Sequence, residues 1–143
     1  MILAVGEAEQ AGRRGEVPVG ALAVDLAGNI LGRAGNSPIS LADPSAHAEI
    51  LALRQAAGRK KNYRLTDVLL VATLEPCLMC LGAIIQARLA GLVFGAHDPK
   101  SGVVSSRLEL SGLNFLNHRL PVISGILSEQ CSALLSGFFK PRR

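Results

Sequence analysis

Apolar residues recur at helical spacing through Leu3, Ala4, Ala8 and Ala11, and Gly12-Arg13-Arg14-Gly15 breaks the run. A helix is predicted over the first twelve residues. Val17 to Asp25 is β-prone, Ala27-Gly28-Asn29 supplies a turn, and Ile30 to Arg33 returns, which together predict a hairpin. Ala34 to Pro38 reads as a loop. Asp43-Pro44 has the form of an N-cap with proline at the first helical position, so a helix is expected from there to about Ala57, stopped by Gly58. Asp67 to Thr73 reads as a buried strand. Pro76 leads into a helix from Cys77 to Leu89, ended by Gly91, and Leu92 to Gly95 forms a short strand. Ala96 to Arg119 lacks periodicity. A loop this long in a compact domain is usually functional or holds short helices. Leu120 to Ser124 reads as a last strand, and Leu127 to Phe139 as a closing helix before a basic tail. Strands alternate with helices after an initial hairpin, so the expected class is α/β with a mixed sheet, in one domain over residues 1–143.

Composition sharpens this picture only a little. Hydrophobic residues make up 49%, with no Trp, one Tyr and four Phe, so the core must be built from Leu, Val, Ile and Ala. The net charge of +4 fits a polyanionic partner without requiring one. The basic runs are Arg59 to Arg64 and Lys140 to Arg143. Glu7 and Glu9 interrupt the start before a secretory apolar region develops. The longest apolar stretch, Val68 to Ala87, contains Glu75, Pro76 and Gln86 and is not a membrane span. The reading is a cytoplasmic protein whose three cysteines stay reduced.

The chemistry concentrates in His47-Ala48-Glu49 and Pro76-Cys77-Leu78-Met79-Cys80. Cys77 and Cys80, three residues apart at a helix start, place both sulfurs on one side. The partial positive charge of a helix N-terminus favours the thiolates that a metal needs. His47 is expected in the first turn of its own helix. Two helix starts that follow neighbouring strands can meet at one end of a sheet. Three ligand-type residues suit a catalytic zinc, which keeps its fourth position open, better than a closed structural site. Glu49 is two residues from His47 and so does not share its face. It is free to act as general acid and base, taking a proton from the attacking water and delivering it to a leaving amine. Each half of the pattern alone has an ordinary reading: a redox or structural Cys-x-x-Cys, or a solvated helix charge. His-x-Glu followed by Pro-Cys-x-x-Cys is a known signature of zinc nucleobase deaminases. Cys131 reads as a core thiol, His97 as a loop residue, and His118 is open between solvent and a site edge.

Beyond that signature, the chain resembles the bacterial tRNA adenosine deaminases. The resemblance runs along the whole chain, through Glu16 to Ala21, Asn36-Ser37-Pro38-Ile39, Ala46 to Ile50, Asn62 to Leu65, Thr73 to Cys77, Val93 to Ala96 and Asn117-His118-Arg119. It implies a cytidine-deaminase-like three-layer αβα sandwich with a five-stranded mixed sheet, one Zn²⁺ per chain on His47, Cys77 and Cys80, and a homodimer. The implied reaction is hydrolytic deamination of adenosine to inosine at the wobble position of a tRNA anticodon, with Glu49 as the proton carrier. By position, Asn36 is implied to hydrogen-bond the target base, with Val17, Pro38 and Leu74 as apolar walls and the Ala48 backbone at the base edge. Asp98 and Lys100 are implied to contact neighbouring nucleotides of the anticodon stem-loop, with Phe139 and Arg142 near the RNA. The chain departs from the family pattern at Ser37, where relatives often carry Arg, at His97-Asp98-Pro99 in place of Arg-Asp-Ala, and at Gly137 in place of an acidic residue.

Three other readings compete. A free-base or nucleotide deaminase, of the guanine or cytosine type, uses the same scaffold. A non-catalytic zinc and RNA-binding subunit would have no need of Glu49. A redox Cys-x-x-Cys protein would leave His47-x-Glu49 unexplained.

Overall fold

The computed structural model of the protein describes residues 1–110, 113–114 and 116–140. α1 spans Ile2–Arg13. β1 (Gly20–Asp25) and β2 (Ile30–Gly35) form the expected hairpin, closed by Asp25, whose carboxylate accepts the Ala27 and Asn29 amides. A short helix α2 (Pro38–Leu41) follows, then α3 (Ala48–Lys60), β3 (Val68–Leu74), α4 (Leu78–Gln86), β4 (Gly91–Ala96), β5 (Val122–Ile123) and α5 (Ser128–Phe139).

The sheet order is β2-β1-β3-β4-β5. β1 is antiparallel to both β2 and β3, while β3, β4 and β5 run parallel. α1 and α5 pack on one face, and α3 and α4 on the other, which gives the expected three layers. The aromatic-poor composition is answered by close approach. α1 turns Ala4, Ala8 and Ala11 inward with no solvent exposure. A Cβ on Gly20 would stand 2.0 Å from the Ala4 carbonyl oxygen, and one on Gly35 2.6 Å from that of Glu7. Glycine lets the helix and strand backbones touch there. The opposite face carries the main core, in which Leu70, Ile84, Leu89, Leu92 and Phe94 are almost wholly buried.

Several boundaries differ from expectation. α3 starts at Ala48, not at Asp43-Pro44, because the Asp43 carboxylate closes a local turn onto the Ser45 amide and hydroxyl. Gly58 does not stop α3. The helix runs on to Lys60 and ends on Lys61 in the left-handed region, at φ 50°. α4 stops at Gln86, and the chain reverses through Arg88 at φ 54°. The segment expected to be pure loop at Ser37-Pro38 opens α2 instead. β2 and β3 are not neighbours, since β1 lies between them.

Candidate active site

Two helix starts meet at one end of this sheet. β2 leads through α2 to His47, the N-cap of α3, and β3 leads through Glu75-Pro76 to Cys77, the N-cap of α4. Both residues are extended, and neither side chain makes a capping hydrogen bond. They turn toward each other instead. Nδ1 of His47 lies 3.6 Å from Sγ of Cys77 and 3.5 Å from Sγ of Cys80. All three atoms lie within 4.8 Å of one another. Zn–S bonds of about 2.3 Å and a Zn–N bond of 2.0–2.1 Å, set at tetrahedral angles, put nitrogen and sulfur about 3.6 Å apart. The donor set therefore fits one zinc ion, and no fourth His, Cys, Asp or Glu joins the cluster among the described residues.

The protons of the trio are organised. The hydrogen bond from the Cys80 thiol, helped by His47, lowers Cys77 to about 4. The same bond pushes Cys80 up, with burial adding to it, and the bond to Cys77 raises His47. Cys77 is thus the readier thiolate of the pair, and a bound cation would favour the deprotonated form of both sulfurs.

Glu49 occupies the second position of α3 and is buried. Burial pushes its carboxyl up to about 7, against weaker lowering by its own amide and other neighbours. It lies outside the three-atom cluster but on the wall of a cavity of about 660 Å³, together with His47 and Cys77. A carboxyl that holds or releases a proton near neutrality, beside a metal cage in a cavity, is suited to general acid and base work.

The sequence profile of the MafB19-like deaminases matches residues 1–143. The tRNA-specific adenosine deaminase of Haemophilus influenzae is 51% identical over 136 residues, 95% of this chain and 79% of that protein. That of Bacillus subtilis is 41% identical, over 98% of this chain and 86% of the relative. The chain belongs to the tRNA-specific adenosine deaminase family. A solved structure from work on A-to-I editing by tRNA:A34 deaminases at the wobble position superposes with a TM-score of 0.91 at 41% identity, covering 94% of this chain and 97% of the other. Guanine deaminase from Nitrosomonas europaea superposes with a TM-score of 0.77 at 23% identity, over 95% of this chain and 80% of the other, and shares the fold.

Of the residues that the family resemblance singles out, the cavity gathers Val17, Asn36, Leu74, Asp98, Lys100 and Phe139. Pro38 and Ala48 are not on its wall. Pro38 opens α2, whose first turn is held by Glu16: this buried carboxylate accepts the Ile39 amide at 3.3 Å and the Ser40 amide and hydroxyl at 2.8 and 2.9 Å. Ala48 is fully buried, and its amide donates to Oδ1 of Asn36 at 2.9 Å. That bond leaves the Asn36 NH₂ as the group free to address a ligand. Arg142 lies outside the described residues. His118 is tied to the backbone, its Nε2 lying 2.7 Å from the Leu89 carbonyl oxygen.

The sequence reading named Phe139 but missed the rest of the helical wall. Ser132, Leu135, Ser136 and Phe139 line the cavity from α5, and their spacing was a readable signal once that helix was predicted. It also missed Glu16 and Glu75, whose partners are distant in sequence. Burial by itself would raise the Glu75 carboxyl, but hydrogen bonds from the Ser106 hydroxyl and from the Ser105, Asp98 and Ser106 amides outweigh it and hold the group at about 2.

Proposed function

We propose that residues 1–143 form a single deaminase domain that converts adenosine to inosine at the wobble position of a tRNA anticodon. The observation that carries this reading is the His47–Cys77–Cys80 cage with Glu49 on one cavity wall, in a chain about half identical to a tRNA-specific adenosine deaminase. His47, Cys77 and Cys80 would hold one Zn²⁺ per chain. When bound, zinc supplies Lewis acidity to the attacking water.

The chain's own residues do the rest. Water adds to the purine carbon that bears the amine, and ammonia leaves. Glu49 takes the proton from the water and passes one to the departing nitrogen, so one carboxylate serves both transfers. Val17 and Leu74 give the base apolar walls, and the Asn36 NH₂ offers a donor to an acceptor on the purine edge. Lys100 and Lys140 on the rim suit flanking phosphates.

A homodimer belongs to the same reading. Leu78 and Met79 at the start of α4 are exposed apolar side chains that a second copy would cover. Among the described residues no helix is long and apolar enough to cross a membrane. The proposed place of action is the cytoplasm.

The decisive experiment incubates the purified protein with an anticodon stem-loop bearing adenosine at the wobble position and reads inosine by sequencing. Conversion is expected, with free adenosine hardly touched, because contacts to the flanking nucleotides hold the target out of its stack. Turnover of guanine or free nucleosides with none on the stem-loop would move the assignment to a nucleobase deaminase.

A further inference from the structure

Glu75 lies at the root of the cavity wall, two residues before Cys77, and its side chain is wholly buried. Its carboxylate accepts the amides of Asp98 at 3.1 Å, Val104 at 3.0 Å, Ser105 at 2.7 Å and Ser106 at 3.0 Å, together with the Ser106 hydroxyl. His97 Nδ1 stands 3.5 Å from the same group. Every one of these partners comes from one segment, residues 97–106, which contains no helix or strand. A buried loop amide needs an acceptor, and a segment outside a ladder cannot supply enough of them itself. Here one carboxylate does so for four. Gly102 completes the fit, since a Cβ there would stand 2.5 Å from the Glu75 carboxyl carbon.

The grip has an output. Asp98, Pro99, Lys100 and Ser101 line the cavity from this loop. Its tip is braced by the Asp98 carboxylate, which accepts the Lys100 amide at 2.9 Å and the Ser101 hydroxyl at 2.6 Å. Lys100 Nζ then sits 5.8 Å over the Phe139 ring of α5, across the cavity mouth. On the other side, the Val103 amide donates to the Pro76 carbonyl at 3.2 Å, beside Cys77. A continuous set of short contacts thus runs from the metal-binding helix start, through Glu75, to the cation at the rim.

We infer that Glu75 is a positioning residue for substrate: by folding residues 97–106 around its carboxylate, it fixes Lys100 relative to the His47–Cys77–Cys80 cage and acts on RNA binding, not on bond breaking. A glutamate that only stabilised the fold would change melting temperature and leave the affinity of correctly folded enzyme alone. This inference rests on the RNA-deaminase reading above.

The test is steady-state kinetics on the adenosine stem-loop, with zinc per chain measured for every variant. The set is the parent, Glu75→Gln, Ser106→Ala, Lys100→Ala and the pairwise combinations with Lys100→Ala. Glu75→Gln places an NH₂ among amide donors. It should keep the parent's zinc and a kcat within about 3-fold, and raise KM by on the order of 10- to 100-fold. Ser106→Ala removes one donor and should raise KM roughly 3-fold. Adding Lys100→Ala to either should cost less than it costs in the parent, because both changes act through one contact. Unchanged KM with a loss confined to kcat, zinc or melting temperature would overturn the inference, as would full additivity with Lys100→Ala. If Glu75→Gln does not fold, the Ser106→Ala and Lys100→Ala cycle decides by the same criterion. A parent that leaves the stem-loop adenosine intact overturns both readings, whereas an active parent with unaltered KM in Glu75→Gln overturns this one alone.

Discussion

Glu49 and Glu75 sit on the walls of the same cavity, and both are buried. Their carboxyls nevertheless part company, one pushed up to about 7 and the other held at about 2. Burial acts on both in the same direction, against the charged form. The difference lies in donors. Glu75 meets four backbone amides and a hydroxyl from one loop, while Glu49, at the second position of α3, faces the cysteine–histidine cluster with little beyond its own amide and the Cys80 thiol. A carboxylate saturated with donors is a structural anion. One left short of donors keeps its proton available for exchange.

That contrast can be broken first at Glu49. Glu49→Gln preserves shape and removes the base, and deamination should fall by about 10³-fold or more, with zinc content unchanged. Its folding stability should match or exceed the parent's, because a buried and poorly solvated acid is replaced by a neutral amide. Denaturant titration alongside rate measurements would show it, and a variant that retains near-parent turnover would remove Glu49 from the chemistry.

Asn36→Ala is expected next. It deletes the acceptor for the Ala48 amide and the NH₂ that we propose addresses the base. Turnover of the wobble adenosine should fall by roughly 10- to 100-fold, and Asn36→Ser should lose less. Comparing two stem-loops that differ only in adenosine or cytidine would check whether this loss is specific to the purine.

At Glu75 the effect should move from bond breaking to substrate binding, with a cost in stability beside it. Glu75→Ala strands several amides in the 97–106 loop, and a loss of roughly 2–4 kcal/mol is expected in urea melts. A neutral result there would mean that water substitutes for the carboxylate.

Glu16 gives the smallest effect. Burial by itself would raise its carboxyl, but the Ser40 and Ile39 hydrogen bonds outweigh it and lower the group below the usual 4.5. A folded-state value below the unfolded one contributes stability that is present above about pH 4.5 and is lost as pH falls through the lower value. The stability gap between parent and Glu16→Gln should therefore be constant near neutrality and narrow in acid.

The sheet, its hairpin and the closing helix were legible because their apolar periodicities are local. The clustering of His47, Cys77 and Cys80 was legible because the motif states residue types as well as spacing. The start of α3 was not, and the reason is chemical. Asp43-Pro44 carries a conventional cap signal and uses it on a turn to Ser45, while the true N-cap, His47, has its ring committed to two sulfurs. Cys77 does the same on α4. Both helices thus begin on residues whose side chains turn into the cluster and make no cap hydrogen bond, and a rule that searches for caps passes over them. The 97–106 loop was illegible because its order comes from a carboxylate more than twenty residues away, which leaves no periodic trace.

The tight seam between α1 and the sheet has a consequence at a distance. Gly20 opens β1 directly after Val19, and Gly35 closes β2 directly before Asn36, so both strand ends that enter the cavity rest on the backbone of one helix. Where a methyl group would meet a carbonyl oxygen at 2.0 or 2.6 Å, there is no slack to absorb it. Any side chain added on that hidden seam must lever the strand ends outward and carry Val19 and Asn36 with them. The shape of the cavity therefore depends, through the sheet, on two hydrogen atoms on its far side.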